Sequence, residues 1–471
     1  MIKKINWKFI LILALVILLA IVSVSCKKTA TTQTQPNITL QVWNVFDDSK
    51  VFDPIFAEFK AKYKGLKIEY RKFEDPQKYM DLIVNEMAEG EGPDIFFLQN
   101  SSLKNNYKKL TPADSNAVSL DAFKQTFVGV AANDCLLSGD DGVTRLYCMP
   151  LYIDNLALYY NKAHFEEILP SDNGPAQTWS QIEDQVYKLT KEDNSFERFA
   201  RTGLAFGRAD NIARAYDILE MLLLQGATKF YAEGGAQAVF ATQQGVTSMG
   251  QAYFPGRDAL DLYTSFGIQS NKQYSWNKYM ANPNSAEKEM IPFVNGKVSM
   301  IVGYSYLYND LLDQIELQSK KGLKTINKKD IVVTAIPQVF DPSKGEGQVT
   351  LANYFAPVVS RTTQYPQLAW DLIGFLSTKD SQTQYNKETR KPSARRDLID
   401  SQSTDPIYGV FSKQIGYSKT FDVTDEARYQ EIFLKAISSV VDNSLKPLDA
   451  MLEAQNQIND ILKNKTFKVA E

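Results

Sequence analysis

An acidic residue and an amide stand side by side at a bend in the segment RLYCMPLYIDNLALYYNKAHFEE, residues 145–167. Pro150 lacks a backbone N–H and cannot extend a sheet ladder, so a strand bends or ends there. Residues 156–160 are apolar and aromatic, which is typical of a short buried strand. Asp154 and Asn155 therefore stand where the chain passes from one strand to the next. We predict that Asp154 accepts hydrogen bonds from a ligand in a cleft between two lobes.

Residue combinations typical of catalysis or metal binding are scarce elsewhere in the sequence. His164 is the only histidine, so nucleophile pairs of the Ser–His and Cys–His kinds are almost entirely excluded. The sequence contains no HExxH, CxxC, GxGxxG or Walker motif, so we predict neither a metal nor another cofactor. An exported glycosidase would need two facing carboxylates, for which Asp154 and Asp47 are the available pair. We predict a binding protein and not an enzyme.

The elements that position these residues alternate between strand and helix. Five segments follow one another as strand, helix, strand, helix and strand: residues 38–48, 51–63, 65–73, 77–90 and 92–100. This order predicts a parallel sheet covered by helices. Ligands bind beyond the carboxyl ends of the strands in such sheets. Trp43, Asp47 and Asn100 are therefore candidate binding residues on the rim of a first lobe.

The N-terminal residues 1–25 read as a targeting segment. Three lysines precede an uncharged apolar run at residues 9–24, and Cys26 follows directly on a serine. This pattern resembles a bacterial lipoprotein signal, in which Cys26 is lipidated and becomes the mature N-terminus. The alternative is an uncleaved anchor helix, because the apolar run is near the lower length limit for a membrane span. In both cases the rest of the chain is exported and tethered to a membrane.

Composition constrains the exported part further. Residues 26–37 are polar and read as a flexible tether. Without the three leader lysines, 49 basic side chains face 55 acidic ones, and this mildly acidic balance argues against nucleic acid as a partner. A length of 471 residues predicts two to three domains.

Two cysteines flank a predicted hairpin. Between Cys135 and Cys148 lies an Asp-Asp-Gly turn signal with apolar and β-forming residues on either side. A hairpin would bring the two sulfurs close together, and an oxidising compartment permits the bond. We predict a disulfide between them, with two free, half-buried thiols as the alternative.

The segment at residues 145–167 resembles the "YG-x-P … D … YYNK-x-x-F" signature of family 1 extracellular solute-binding proteins, the sugar-binding components of ABC importers. Cys148 replaces the usual glycine of that signature. Further resemblances follow in the family's order at residues 178–191, 293–311, 330–339, 351–376 and 449–462. The resemblance implies a two-lobed, type II periplasmic-binding-protein-like α/β fold. Each lobe is expected to be a mostly parallel sheet flanked by helices, with a hinge between the lobes.

The resemblance also implies lobe boundaries and binding residues. The first lobe is expected to comprise residues 38–152 plus about 339–380, and the second about 153–338 plus 381–471. Tyr304 stands where the family usually has tryptophan, and we expect it to stack on a sugar ring. The full predicted set of ligand-binding residues is Asp154, Tyr304, Trp43, Asp47, Asn100, Trp276, Tyr354 and Arg395.

The function predicted from sequence is capture of a carbohydrate, in particular an oligosaccharide, by a monomeric lipoprotein outside the cytoplasm. The carbohydrate is expected because aromatic and hydroxyl-binding groups outnumber charged ones at the predicted rim. The protein would then deliver it to an ABC permease in the membrane. Three alternatives remain open: a binder of a polyamine, peptide or phosphorylated polyol, an exported polysaccharide-active enzyme, and a lipoprotein sensor partnered with a membrane kinase.

Overall fold

The computed structural model of the protein describes residues 38–193, 199–247 and 249–468, without the side chains of residues 464–468. The predicted leader, the tether and the lipidation site Cys26 lie outside these residues. In the part of the chain that is described, helices long and apolar enough to cross a membrane are absent.

The strands of the described residues are short and spread along the whole chain. Their bounds are β1 Thr39–Val45, β2 Lys67–Phe73, β3 Ile95–Gln99, β4 Leu136–Ser138, β5 Thr144–Leu146, β6 Asp154–Asn155, β7 Ala157–Asn161, β8 Lys191–Glu192, β9 Phe199–Leu204, β10 Val298–Gly303, β11 Ile331–Thr334, β12 Thr350–Asn353, β13 Phe355–Val359 and β14 Ser418–Lys419.

The α-helices alternate with these strands in the first half of the chain and dominate the C-terminal part. Their bounds are α1 Ser49–Lys60, α2 Pro76–Glu89, α3 Leu103–Asn106, α4 Leu120–Thr126, α5 Gly129–Cys135, α6 Lys162–Ile168, α7 Trp179–Leu189, α8 Ala215–Gln225, α9 Pro255–Ser265, α10 Met290–Val294, α11 Leu307–Lys320, α12 Pro366–Leu376, α13 Lys379–Thr389, α14 Arg396–Gln402, α15 Gly409–Gln414, α16 Glu426–Val441 and α17 Pro447–Lys468.

The first sheet has the strand order β13-β3-β1-β2 and is mostly parallel, as predicted. β1 pairs in parallel with β2 and β3, and only β13 runs antiparallel to its neighbour. Side-chain caps fix the starts of the two crossover helices: Asp48 accepts a backbone N–H at the start of α1, and Asp75 does so at α2. Helix α2 ends at Gly90, whose φ of 82° is the left-handed conformation that favours glycine.

The second sheet has the order β11-β7-β10-β9-β8 and is not mostly parallel. β7 runs antiparallel to both β10 and β11, and β8 runs antiparallel to β9. The cause is the way the chain enters and leaves this lobe. Strand β7 begins at the boundary between the lobes, and the C-terminal ends of β10 and β11 return to its first residues, so that Gly303 pairs with Ala157.

Two hydrophobic cores divide the chain into two lobes. The buried residues of the first core run up to Ile153, and those of the second begin at Leu156. The chain returns to the first core between Leu351 and Ala352. It crosses a third time between α14 and α15, because Phe411 in α15 packs in the second core.

These crossings lie later in the chain than the boundaries predicted at about 338 and 380. Val339 packs against the second core, and Tyr385 and Ala394 are buried in the first. Helix α13 is polar apart from Tyr385, so its sequence does not indicate which lobe it packs on. Its placement depends on tertiary contacts, among them the tilted ring pair of Tyr385 with Phe52 in α1.

A small sheet of the order β14-β12-β6 joins the lobes. Strands β6 and β12 carry two of the crossings and run antiparallel, with Asn155 opposite Ala352. Gln414 reinforces this junction, since its side-chain amide donates to Asn155 Oδ1 at 2.8 Å. The connections between the lobes are therefore short and lie side by side.

The predicted hairpin between the two cysteines is present as β4 and β5. The sulfurs of Cys135 and Cys148 are bonded, and their Cα atoms are 5.0 Å apart. Both residues are fully buried in the first core. The bond closes a short loop at the end of α5.

We expect the double variant Cys135→Ser/Cys148→Ser to have a free energy of unfolding about 3 kcal/mol lower than that of the unaltered protein, because opening this loop restores conformational entropy to the unfolded chain. Chemical denaturation monitored by circular dichroism measures the difference. Ligand affinity at 25 °C should stay within about twofold, because neither cysteine lines the cavity between the lobes. A change below about 0.5 kcal/mol would contradict this prediction.

Candidate functional site

A cavity of about 790 Å³ lies between the two lobes. The first lobe contributes the loop after β1, the start of α2 and the end of β3. The second lobe contributes the starts of α8, α11 and α16. The cavity is therefore placed at the carboxyl ends of the strands of the first sheet, where the sequence predicted it. Its size is that of pockets that hold small molecules.

Asp154 lies at the floor of this cavity and is held rigidly. Its Oδ1 accepts the backbone N–H groups of Asn155 and Ser305 at 2.9 and 3.1 Å, and its Oδ2 accepts the Ser305 hydroxyl at 2.8 Å. Burial raises the pKa of Asp154 to about 6, although these hydrogen bonds lower it. Oδ2 accepts only one hydrogen bond and keeps unused acceptor capacity, which a ligand hydroxyl could use.

A buried ion pair joins the start and the end of the first lobe at the cavity wall. The Lys391 ammonium lies 2.6 Å from Asp47 Oδ1, and Tyr385 donates its hydroxyl to Asp47 Oδ2 at 2.7 Å. Lys391 also lies 4.2 Å from the centre of the Tyr152 ring. Burial lowers the pKa of Lys391, but Tyr152 and Asp47 together raise it above its ordinary value. Lys391 therefore keeps its positive charge across the physiological range.

On the second lobe, two tyrosines and an arginine form a packed group. The rings of Tyr304 and Tyr306 are stacked with centres 6.0 Å apart, and the Arg214 guanidinium lies 5.7 and 5.6 Å from them. Asp217 is 3.5 Å from Arg214, which is an ion pair and too long for a strong hydrogen bond. Asn353, at the hinge, donates to the Tyr304 hydroxyl at 3.3 Å.

Phe46 is the most exposed aromatic side chain of the cavity wall, at 47%. It follows β1 directly and has a φ of 73°, a conformation that costs free energy for a residue other than glycine. The edge of its ring meets Phe355, with centres 5.9 Å apart. This backbone turns a large apolar ring into the cavity, where a ligand could cover it.

The cavity lining is strongly acidic. It contains eight carboxylate side chains and two cationic ones, Arg214 and Lys391. Both cations are already paired, with Asp217 and Asp47 respectively. The same lining contains six aromatic residues and six uncharged amide or hydroxyl side chains, so these two groups together outnumber the ten charged residues.

At one end of the cavity, buried tyrosine and glutamate side chains have too few hydrogen-bond partners for their oxygen atoms. Tyr216 is 3% exposed and Glu220, one turn along α8, is 5% exposed. The Tyr216 hydroxyl and the Glu220 carboxyl interact with each other, and neither the hydroxyl nor Glu220 Oε1 has a well-formed hydrogen bond to any other group. Glu426, the first residue of α16, accepts the hydroxyl of Ser101 from the other lobe at 2.8 Å. Burial raises the pKa of Glu426 to about 7.

The structure brings three of the predicted binding residues together in the cavity lining: Asp154, Tyr304 and Asp47. Trp43 and Trp276 lie elsewhere. Trp43 is buried in β1 under Arg71, whose guanidinium is 5.0 Å from the indole ring. Trp276 is fully buried in the second core and donates its indole N–H to Asn211 at 2.8 Å.

Asn100, Tyr354 and Arg395 also lie outside this lining. Asn100 bonds across the hinge to the Ala352 carbonyl, and Tyr354 donates to Asp134 at 2.6 Å. Arg395 is held by a carboxylate two residues along the chain and by the Ser377 carbonyl. We assign these side chains to the interior and surface of the first lobe and its hinge.

Several residues of the cavity lining were not predicted, although some of them lie close in sequence to residues that were. Phe46 lies between two residues that were predicted, and Tyr152 and Tyr306 each lie two positions from one. The alternation of a strand brings residues two positions apart to the same face. Arg214 and Lys391 carried no local signal, because only contacts with distant residues place them here.

Two lobes around a cavity lined from both sides are the arrangement of a solute-binding protein. Among the described residues, groups of three His, Cys, Asp or Glu side chains placed to hold a metal ion are absent. Residues 55–406 match the bacterial extracellular solute-binding protein family, which is about three quarters of the chain. The chain belongs to that family, as the sequence predicted, and an extracytoplasmic location follows from this membership.

Solved structures with the same fold include sugar-binding proteins. The sugar-binding protein MalE from Xanthomonas citri matches with a TM-score of 0.72 and 17% identity, covering 92% of this chain and 100% of that one. A cyclo/maltodextrin-binding protein complexed with maltotetraose matches with 0.68 and 17%, covering 92% and 98%. An ABC transporter solute-binding protein from Thermotoga lettingae bound with α-D-tagatose matches with 0.64 and 18%, covering 90% and 99%. The predicted two-lobed α/β fold is confirmed.

Proposed function

We propose that this protein captures a carbohydrate, in particular an oligosaccharide, in the cavity between its lobes and delivers it to an ABC permease. The observation that carries the proposal is a cavity of about 790 Å³ lined by ring faces and hydrogen-bonding groups from both lobes. Phe46 and Phe355 on one side and Tyr304 and Tyr306 on the other offer flat surfaces to sugar rings. Asp154 offers acceptors to hydroxyl groups.

Capture works by stabilising a closed arrangement of the lobes. A ligand that touches Phe46 and Tyr306 at once interacts with both lobes, and it does so only when they are close together. The ligand therefore binds the closed state more tightly than the open one, and this difference in affinity shifts the population toward the closed state. The short connections in the β14-β12-β6 sheet are the place where such a hinge motion bends the chain.

Lipidation of Cys26 would hold the protein at a membrane next to its permease, acting as a monomer. Support comes from the apolar leader ahead of Cys26 and the polar residues that follow it. The surroundings of Asp47 and Asp154, the carboxylate pair considered for a glycosidase, argue against an enzymatic role. Asp47 is neutralised by Lys391, and Asp154 is held by Ser305 and its own backbone neighbour, so neither is placed as a free acid or nucleophile.

A cationic solute such as a polyamine is a second candidate. The eight carboxylates of the lining favour it, because its two cations are already paired. A polyamine, however, has no ring faces to use the aromatic residues of the cavity. A polyamine is therefore a weaker candidate ligand than a carbohydrate.

A thermal-shift screen of residues 38–471 against mono- and oligosaccharides, polyamines, amino acids and phosphates tests the function. A ligand present at a hundredfold its dissociation constant adds about 2.7 kcal/mol of stability, which shifts the melting temperature measurably. We expect the shift with a carbohydrate. A shift with a polyamine alone would replace the carbohydrate assignment with the second candidate, and release of sugar from a polysaccharide would indicate an enzyme.

A further inference from the structure

The cavity lining has more negative charge than the neighbouring cations of the protein balance. Of its eight carboxylates, Asp47 and Asp217 are paired with the two cations of the lining. Asp75 is paired with Lys78 outside the lining, at 3.4 Å, so five carboxylates remain for a ligand or solvent to compensate. A neutral sugar forms hydrogen bonds but brings no counter-charge into such a site.

The imbalance is greatest where α8 and α16 meet. Tyr216 and Glu426 line the cavity there, and Glu220 stands behind the Tyr216 hydroxyl on the next turn of α8. Apart from their interaction with each other, the Tyr216 hydroxyl and Glu220 Oε1 are buried without a well-formed hydrogen bond, which is costly unless something binds them. Ser101 satisfies only one oxygen of Glu426.

From this geometry we propose that the carbohydrate held in the cavity carries a free, protonated amino group, and that Tyr216 and Glu426 receive it, with Glu220 supplying charge behind them. The inference rests on the proposed carbohydrate function and narrows its ligand class. An ammonium group is a donor of three hydrogen bonds and a positive charge, which is what these side chains lack. The aromatic faces of Phe46 and Tyr306 would hold the sugar rings.

The protonation behaviour of the same residues supports this assignment. Burial raises the pKa of Glu220 well above its ordinary value, and the charge of Glu426 raises it further. Burial raises the pKa of Glu426, the Ser101 hydroxyl lowers it, and the carboxylates of Asp217 and Asp425 raise it by a smaller amount. An ammonium group bound among them would reverse this trend and favour the ionised forms.

The test is calorimetric titration of residues 38–471 with trisaccharides that differ in one group. At about pH 6.5, where a sugar amine is charged, the probes are the β-1,4 trimers of glucosamine, N-acetylglucosamine and glucose. Glucosamine with glucose, galactosamine with galactose, and spermidine complete the panel. We expect an amino sugar to bind about tenfold or more tightly than its neutral counterpart, and to release protons on binding.

Two variants locate the preference. Tyr216→Phe deletes only a hydroxyl that makes no well-formed hydrogen bond, so it should fold about as stably as the unaltered protein and yet lower the preference for the amino sugar about tenfold. Glu426→Gln should also lower the ratio of amino-sugar to neutral-sugar affinity about tenfold. Glu431→Gln is the matched control, since Glu431 lies on the same helix, is exposed and pairs with Arg428.

Each outcome decides the question. Equal or tighter binding of neutral sugars would overturn the amino-sugar inference and leave the proposed function intact. A preference that survives in both Tyr216→Phe and Glu426→Gln would overturn the assigned residues. Binding of spermidine with no sugar bound, or no binding of any probe, would overturn the inference and count against the carbohydrate function itself.

Discussion

Replacing Lys391 with methionine is expected to lower the free energy of unfolding by about 3–5 kcal/mol, because it leaves the Asp47 carboxylate buried without its counter-charge. The side chains of Lys391 and Asp47 are only 12% and 10% exposed, so water cannot take over the role of the ammonium group. Tyr385 alone would then stabilise the carboxylate. Urea denaturation of the two proteins measures the difference.

The double variant Asp47→Asn/Lys391→Met separates the charge from the packing. It removes both charges together, so we expect it to recover at least half of the stability lost in the single variant. The matched control is Lys435→Met, because Lys435 also pairs with a carboxylate, Glu453, but on the exposed surface. That variant should lose less than about 1 kcal/mol. Equal losses in the two lysine variants would contradict a buried pair at the cavity.

Replacing Asp154 with asparagine is expected to weaken ligand binding while stabilising the free protein at neutral pH. In the folded state the pKa of Asp154 is raised from 3.8 to about 6 by burial. A carboxyl with a raised pKa contributes stability below its unfolded pKa, and this contribution is lost as the pH rises through about 6. Above that pH the ionised, buried carboxylate lowers the stability of the fold.

Asparagine keeps an acceptor for the Ser305 backbone N–H and carries no charge. The Asp154→Asn variant should therefore be about 1–2 kcal/mol more stable than the unaltered protein near pH 8, and about equally stable near pH 4. Its affinity for the ligand should fall about tenfold or more, since a charged acceptor is lost. Denaturation at the two pH values, with a parallel titration, tests both statements. A gain in stability independent of pH would contradict the role given to burial.

The first lobe could be predicted closely because local patterns determine it. Alternating apolar residues mark β2, helical spacing marks α1, and Gly90 ends α2 as a residue free to adopt a positive φ. The second sheet could not be predicted in the same way. The sequence pattern of a strand does not indicate the direction in which the strand runs within its sheet. The antiparallel pairing of β7 with β10 and β11 depends instead on where the chain enters the lobe.

The site was predictable only where it lies at the end of a predicted strand. Asp47 follows β1, Asp154 forms β6, and Tyr304 follows β10. Lys391 meets Asp47 across 344 residues of sequence, and no local pattern indicates such a contact. The role of large aromatic residues was also ambiguous from sequence. Trp276 and Tyr354 are of residue types that can stack on sugar rings, but both are completely buried.

The central claim is that one solute is held between the lobes, and calorimetric titration with a carbohydrate found in the thermal-shift screen tests it most directly. We predict one site per chain, with affinity reduced at least about tenfold in Tyr306→Ala, which removes a ring from the cavity wall. Tyr187→Ala should leave the affinity unchanged, because Tyr187 is 56% exposed and lies on α7 away from the cavity. Binding that persists unaltered in Tyr306→Ala and is lost in Tyr187→Ala would contradict the claim.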